Sequence, residues 1–465
     1  MLGRLFGRRG RNKVFVIGLD CAEPSLVFDR YAADLPNLSR LAAQGRYGTL
    51  ETTIPAITVP AWSAMFSGRD PGELGFYGFR NRSDHSYDKM GIATGAAVQE
   101  PRVWDMVSDA GKRVAVVGVP QTFPVRPVNG WLVSGFLAPD TRSKYTWPEE
   151  LADEIRETVG DYAVDVHQFR TDRKDYLLSQ IQDMTERRCA LVKHLLASKP
   201  WDLFIWVEIG VDRIHHGFWK HCDPNHPKYE PGNPYEQAMH DYYVYLDGQI
   251  GEMLDLLPRG TSAVVLSDHG GQPMMGGFCI NEWLIRRGYL VLKEQPQGIA
   301  RIEDCAVDWE HTRAWASGGY YARVFLNVEG REPQGVVPAK EYDRVRNELA
   351  AQLEAATDHE GSLMGTRAFR PEDVYRQVRN IPPDLIVYLG NLAWRSVGSI
   401  GHGTVHVFEN DTGPDDANHA QHGLYIATGG EAPSGRAART WRAVAPSILN
   451  GLGITPPDWM GTERL

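Results

Sequence analysis

Short runs of consecutive apolar residues recur along this chain, separated by longer stretches with helical periodicity. That alternation restricts the fold more than any other feature. Val14 to Leu19 (VFVIGL), Val114 to Val119 (VAVVGV), Leu203 to Ile209 (LFIWVEI) and Ala263 to Ser267 (AVVLS) read as buried strands. Leu385 to Leu389 (LIVYL) and Leu424 to Ala427 (LYIA) extend the series. Leu35 to Gln44, Tyr176 to Ser198 and Tyr235 to Leu257 read as helices, with a closing helix at Thr440 to Leu449. Strands alternating with helices in this way form βαβ units, which predicts an α/β fold: a three-layer α/β/α sandwich on a mostly parallel central sheet. The span from about 307 to 382 breaks the rhythm, with a strand-like Ala322 to Asn327 and a helix near Glu341 to Glu354. It reads as an insertion or small subdomain within a catalytic domain over residues 13–465, behind a basic tail at 1–12.

Charge and cysteine usage narrow the function. The formal charge of -10 argues against a partner held by its nucleic-acid backbone. It leaves room for an anionic small molecule, because bound metal can reverse the local field. Cys21, Cys189, Cys222, Cys279 and Cys305 are odd in number and scattered, which fits a reducing cytoplasm better than a disulfide or zinc-thiolate framework. Arg4, Arg8 and Arg9 interrupt the apolar residues of the N-terminus, so it lacks a signal-peptide core. No apolar run is long enough for a transmembrane span.

Three of the apolar runs lead into an aspartate. Asp20 closes VFVIGLD, Asp212 closes LFIWVEIGVD, and Asp268 closes AVVLSD and is followed by His269. In open α/β sheets ligands bind beyond the carboxyl ends of the strands, so these carboxylates are expected to share one cleft. Each aspartate alone would serve equally as a turn residue or helix cap; three together point to a site. Asp212 and His216 are four residues apart, one helical turn, and so share a face as suitable zinc ligands. His215 points about 100° away. Thr58 precedes Pro60 and the helical AWSAMFSG, which places its hydroxyl over the positive end of a helix, where a phosphate can be held. Ser63 falls inside that helix and is expected to bond its own backbone or to pack.

Asp20 after a strand, Pro55-Ala56-Ile57-Thr58-Val59-Pro60 before a helix, Asp212-x-x-x-His216 and Ser267-Asp268-His269-Gly270 occur in that order. As a set they resemble the type I phosphodiesterase/nucleotide pyrophosphatase branch of the alkaline-phosphatase superfamily. Within it, the chain is similar to the bacterial group of predicted phosphohydrolases and phosphomutases. The resemblance implies an alkaline-phosphatase-like fold and two divalent metal ions, Zn2+ first, with Mn2+ or Fe as alternatives. One metal would sit among Asp20, Asp268, His269 and Thr58, the other among Asp212, His216 and a late histidine. That histidine usually lies four residues before a glycine opening a strand, which selects His419 ahead of Gly423; His422 is the alternative, and His402 and His406 are weaker. Thr58 would be the nucleophile, forming a phosphothreonine that water then hydrolyses. Arg80 or Asn81 would reach a non-bridging phosphate oxygen.

The implied reaction is cleavage of a phosphodiester or nucleotide-like small molecule. Related pyrophosphatases often carry Asn-His after the proline, whereas Ala61 and Trp62 stand here, so the surroundings of the phosphate differ. A sulfatase reading fails for want of a Cys/Ser-x-Pro-x-Arg context. A phosphomutase using the same phosphoenzyme, and a non-catalytic metal-binding scaffold, are the competing readings. The acidic stretch with Glu409, Asp411, Asp415 and Asp416 reads as a solvated loop before it reads as a further cation site. Trp201, Trp206, Trp219 and Trp394 offer material for a pocket wall, although most tryptophans are core.

Overall fold

The computed structural model describes residues 12–429 and 434–465; all but the last residue of the basic tail lies outside them. The run VFVIGL becomes the strand Lys13–Leu19 at the centre of the main sheet, with Leu203–Glu208 and Thr261–Leu266 parallel on either side. Val114–Val117 and Gly130–Val133 continue the parallel order beyond Leu203–Glu208. Toward the other edge, His422–Ala427 runs antiparallel between Thr261–Leu266 and Arg46–Glu51. The core of the sheet is therefore parallel and its margins are mixed.

Side chains alternate across the central strand, as the two-residue period of a pleated strand requires. Val14 and Val16 pack into a layer with the helices Thr58–Ser67 and Val444–Gly451. Phe15, Ile17 and Leu19 pack into the opposite layer with Lys174–Ser198, Gly210–Cys222 and Ala238–Asp255. Both faces are covered, which is the three-layer arrangement, and it accounts for strands that are apolar at nearly every position rather than at alternate ones.

Leu385–Tyr388 does not join this sheet. It lies antiparallel to Ala322–Leu326 and Arg367–Phe369 in a separate four-stranded sheet completed by Ala314–Ser317. A short apolar run carries no record of which sheet it will enter, and here the neighbouring hairpin captures it. This sheet and Tyr342–Glu354 enclose their own apolar cluster, with Phe278, Trp315, Leu349 and Leu385 buried in it. Its residues extend from 278 to 405.

Candidate active site

The strands that deliver the three aspartates are neighbours, in the order Thr261–Leu266, Lys13–Leu19, Leu203–Glu208. Their carboxyl ends lie side by side, which is why residues nearly 250 positions apart in sequence meet. Asp20 follows its strand directly, and Asp268 follows its own after Ser267. Asp212 is in the first turn of the helix Gly210–Cys222, with His216 on the same face and its Nε2 3.2 Å from Asp212 Oδ1. His419 arrives on Ala417–Ala420, which pairs antiparallel with Gly270–Pro273 so that His419 stands opposite Gly271. Its ring stacks on His269 with centroids 3.8 Å apart. Thr58 begins the helix Thr58–Ser67 and puts Oγ1 3.3 Å from His269 Nε2. All seven residues are buried.

The three histidines share one orientation. His216 Nδ1 is 2.6 Å from Asp415 Oδ1, His269 Nδ1 is 3.1 Å from the Gly270 carbonyl, and His419 Nδ1 is 2.9 Å from the Ala56 carbonyl. A carbonyl only accepts, so Nδ1 of His269 and of His419 carries the proton and Nε2 presents its lone pair to the cluster. This is the outward hydrogen bond that metal-ligating histidines make. Around them, Asp20 Oδ1, Asp212 Oδ1, Asp268 Oδ2 and His216 Nε2 are buried without a hydrogen bond. Buried polar atoms left in this state are costly, and bound cations would satisfy them. Donor atoms of Asp20, Asp268 and His269 lie within 4.8 Å of one another, as do those of Asp212, His269 and His419. The residues present fit divalent metal.

The electrostatics describe a site built for positive charge. Burial, with the Asp212 carboxylate beside it, raises Asp20 well above the ordinary carboxyl value. Burial and the Asp20 charge do the same to Asp268. Burial opposes ionisation of Asp212 too, but His216 and Arg213 outweigh it and hold that carboxyl well below the usual range. Burial lowers His269 to about 4. The Asp20 and Asp268 end of the group is thus short of cationic partners, whereas His216, raised against burial well above its ordinary value by Tyr320, Asp415 and Asp212, serves Asp212.

A cleft of about 420 Å³ opens over the cluster, with Thr58, Asp212 and His419 at its floor. Phe79, Phe136 and Phe169 form apolar wall, and five arginines, Arg80, Arg170, Arg213, Arg323 and Arg395, line the rest.

The sequence model of the type I phosphodiesterase/nucleotide pyrophosphatase family matches residues 14–423. The chain belongs to that family. It is a phosphoric ester hydrolase of the alkaline-phosphatase superfamily, and the fold agrees. Human ectonucleotide pyrophosphatase/phosphodiesterase 5 superposes with a TM-score of 0.54 at 12% identity, covering 96% of both chains. Phosphonoacetate hydrolase from Sinorhizobium meliloti, in complex with phosphonoformate, superposes with a TM-score of 0.58 at 16% identity, covering 95% of both. An inactive variant of murine ectonucleotide pyrophosphatase/phosphodiesterase 5 in complex with AMP gives 0.53 at 13% identity, covering 96% of both. Among curated proteins no sequence matches.

Against this family background, the structure separates the expected residues. Asp20, Thr58, Asp212, His216, Asp268, His269 and His419 converge. His422 is exposed at the start of its strand, and His402 and His406 bond Ser399 and the Thr357 carbonyl instead. Arg80 lines the cleft, whereas the Asn81 amide is spent on its own turn, accepting from the Tyr77 N–H and donating to the Gly78 carbonyl. His215 faces away, 3.1 Å from the Tyr243 hydroxyl. Ser63 bonds Gln121 rather than its own backbone. None of the four tryptophans lines this cleft: Trp201, Trp206 and Trp219 fill the main core and Trp394 the smaller one.

Three contributors escape a reading of the sequence. Trp62 Nε1 donates to Asp20 Oδ2 at 2.8 Å, so the residue that replaces the usual histidine braces a carboxylate. The Cys21 N–H donates to Asp268 Oδ1 at 3.2 Å, and the Cys21 thiol lies within 4.8 Å of donor atoms on Asp212 and His216. Asp415, from the acidic stretch, is fully buried between His216 and the Arg170 guanidinium, 2.9 Å away. Asp416 beside it pairs with Lys174 and Lys220. That part of the loop is buried rather than solvated. Its charges are already balanced by partners on other elements, and local sequence does not reveal them.

Proposed function

We propose that this family member hydrolyses a phosphodiester or nucleotide-like phosphoester through a phosphothreonine on Thr58. The inward lone pairs of His269 and His419, gathered with His216 and unsatisfied carboxylate oxygens around one hydroxyl, carry the reading. Two divalent metal ions, Zn2+ first on this Asp/His donor set, would lower the pKa of the Thr58 hydroxyl and stabilise charge on the attacking and leaving oxygens. Asp20, Asp268 and His269 are assigned to one ion with Thr58, and Asp212, His216 and His419 to the other.

Thr58 is the first residue of its helix, where backbone N–H groups have no intrahelical partner and the dipole is positive, so an attacked phosphoryl group is held in place. Thr58 Oγ attacks phosphorus, the ester oxygen leaves, and water then cleaves the phosphothreonine. Arg80 is assigned to the substrate's phosphoryl oxygens or to the groups beyond them. A small molecule rather than a nucleic acid fits the net charge of -10. Scattered, unpaired cysteines support a cytoplasmic setting. Among the described residues no helix is long and apolar enough to cross a membrane.

The test is hydrolysis of bis-p-nitrophenyl phosphate and p-nitrophenyl phosphate by zinc-reconstituted protein, with Thr58→Ala alongside. Loss of about 10³-fold or more in kcat is expected for the variant, the scale at which removing a nucleophile acts. Wild-type protein that binds two zinc ions and turns over neither ester would instead favour the mutase or the scaffold.

A further inference from the structure

The arginines of the cleft are not equivalent. Arg170 is neutralised by Asp415, Arg213 by Asp165 and Asp212, and Arg395 by Asp415. Arg80 and Arg323 form no ion pair among the described residues. Arg323, on the strand Ala322–Leu326, donates only to the carbonyls of Arg80 and Gly318. Burial, with the Arg80 charge adding to it, pulls its guanidinium below the ordinary value. Arg80 is exposed and Arg323 half-buried, so both guanidinium groups stay open to an anionic ligand.

The two arginines also share a position. They stand where the cleft over Thr58 meets a smaller recess of about 210 Å³, and both line both cavities. Glu303 and Asp411 are on the wall of that recess, yet neither pairs with either arginine; Asp411 accepts from Ser399. Arg80 lies on the two-stranded ribbon of Arg80–Arg82 and Met90–Ile92 and Arg323 on the four-stranded sheet, so the pair comes from separate elements at the cleft mouth.

We infer that Arg80 and Arg323 bind a second anionic group of the substrate, a terminal phosphate, while the scissile phosphoryl group sits at Thr58. Two guanidinium groups that no carboxylate pairs match a dianion, and the planar donor fork of arginine suits phosphate oxygens. The substrate is then a phosphoester carrying another phosphate on the same molecule. The inference rests on the phosphoester hydrolase reading of the site.

Matched p-nitrophenyl alkyl phosphodiesters, ending in hydroxyl, carboxylate or phosphate over a series of arm lengths, test it on the zinc-loaded full chain. Wild type is expected to favour the phosphate-ended ester over the hydroxyl-ended one by about tenfold or more in kcat/KM. That ratio falls toward one in Arg323→Ala and in Arg80→Gln, the latter removing a side chain that braces nothing. A wild-type ratio near one, a ratio that survives in both variants, or an equal preference for carboxylate overturns the assignment. If wild type cleaves none of the esters, the hydrolase reading fails by itself. Calorimetry of inorganic pyrophosphate with EDTA-treated protein then decides: weaker binding in both variants upholds the arginine pair, and unchanged binding removes it.

Discussion

At the scale of single residues, the site is ordered as much by what holds the ligating groups as by the groups themselves. Asp415 touches neither substrate nor the Thr58 hydroxyl, but its carboxylate fixes His216 from behind at 2.6 Å. It acts as a positioning residue, and Arg170 and Arg395 keep it charged: despite burial, they and His216 hold its carboxyl well below the usual range. Asp415→Asn retains the shape and removes the charge. Zinc affinity, measured by competition with a chromophoric chelator, is expected to fall about 10- to 100-fold, as for other partners behind a ligating histidine. Unchanged affinity would mean that His216 is not held as a ligand through Asp415. Legibility at this scale divides along the same line. Asp20, Asp212, Asp268 and His269 were readable because strand ends and a helical turn constrain them locally. Asp415, Trp62 and Arg323 were not, because their roles exist only through partners on other elements.

At the scale of elements, the site depends on how closely two strands approach. The family resemblance selects His419 by its distance to Gly423, and the structure gives that glycine a physical task. A Cβ at Gly423 would stand 2.4 Å from the carbonyl oxygen of Ser267, which follows the strand Thr261–Leu266 and precedes Asp268. The obstruction is backbone, which cannot turn aside as a side chain can. Gly423→Ala is expected to destabilise the fold by about 1–3 kcal/mol, read from urea unfolding. Gly248→Ala is the contrast: it lies in the helix Ala238–Asp255 with nothing within 4 Å of the added carbon, and helix propensity favours alanine there by up to about 1 kcal/mol. Equal destabilisation by both changes would refute the close-approach argument. The parallel order of Lys13–Leu19 with its neighbours was legible because both faces are buried and the runs are apolar throughout. The placement of Leu385–Tyr388 was not, since its apolar run would suit either sheet and its partners are chosen by the hairpin beside it.

At the scale of the whole molecule, the buried cluster ties stability to metal and to pH. Metal bound to the folded chain and not to the unfolded one stabilises by RT ln(1 + [L]/Kd), about 2.7 kcal/mol at a hundredfold excess over Kd. Without metal, two sets of groups pull in opposite directions. Asp20 and Asp268 have carboxyl pKa values raised above 3.8 by burial, so the folded state holds their protons longer than the unfolded state does. Their effect is a loss of stability as pH rises above the unfolded value. His215 and His269 are lowered by burial from 6.5 to about 3 and about 4, so the unfolded state takes up protons that the folded state refuses. Their effect is a gain of stability as pH rises from about 3 to about 6.5, complete once both states are neutral. Between those limits the terms offset each other; above about 6.5 the carboxyls remain, and His216, raised against burial well above its ordinary value by Tyr320, Asp415 and Asp212, adds a loss of the same sign as pH rises. The Tm of EDTA-treated protein should therefore fall as pH rises through the neutral range. Zinc should reverse the slope, because ionised carboxylates are then ligands. Parallel Tm profiles with and without zinc from pH 6.5 to 8.5 would show that the cluster does not bind metal in the folded state, and the two-metal reading would go with it.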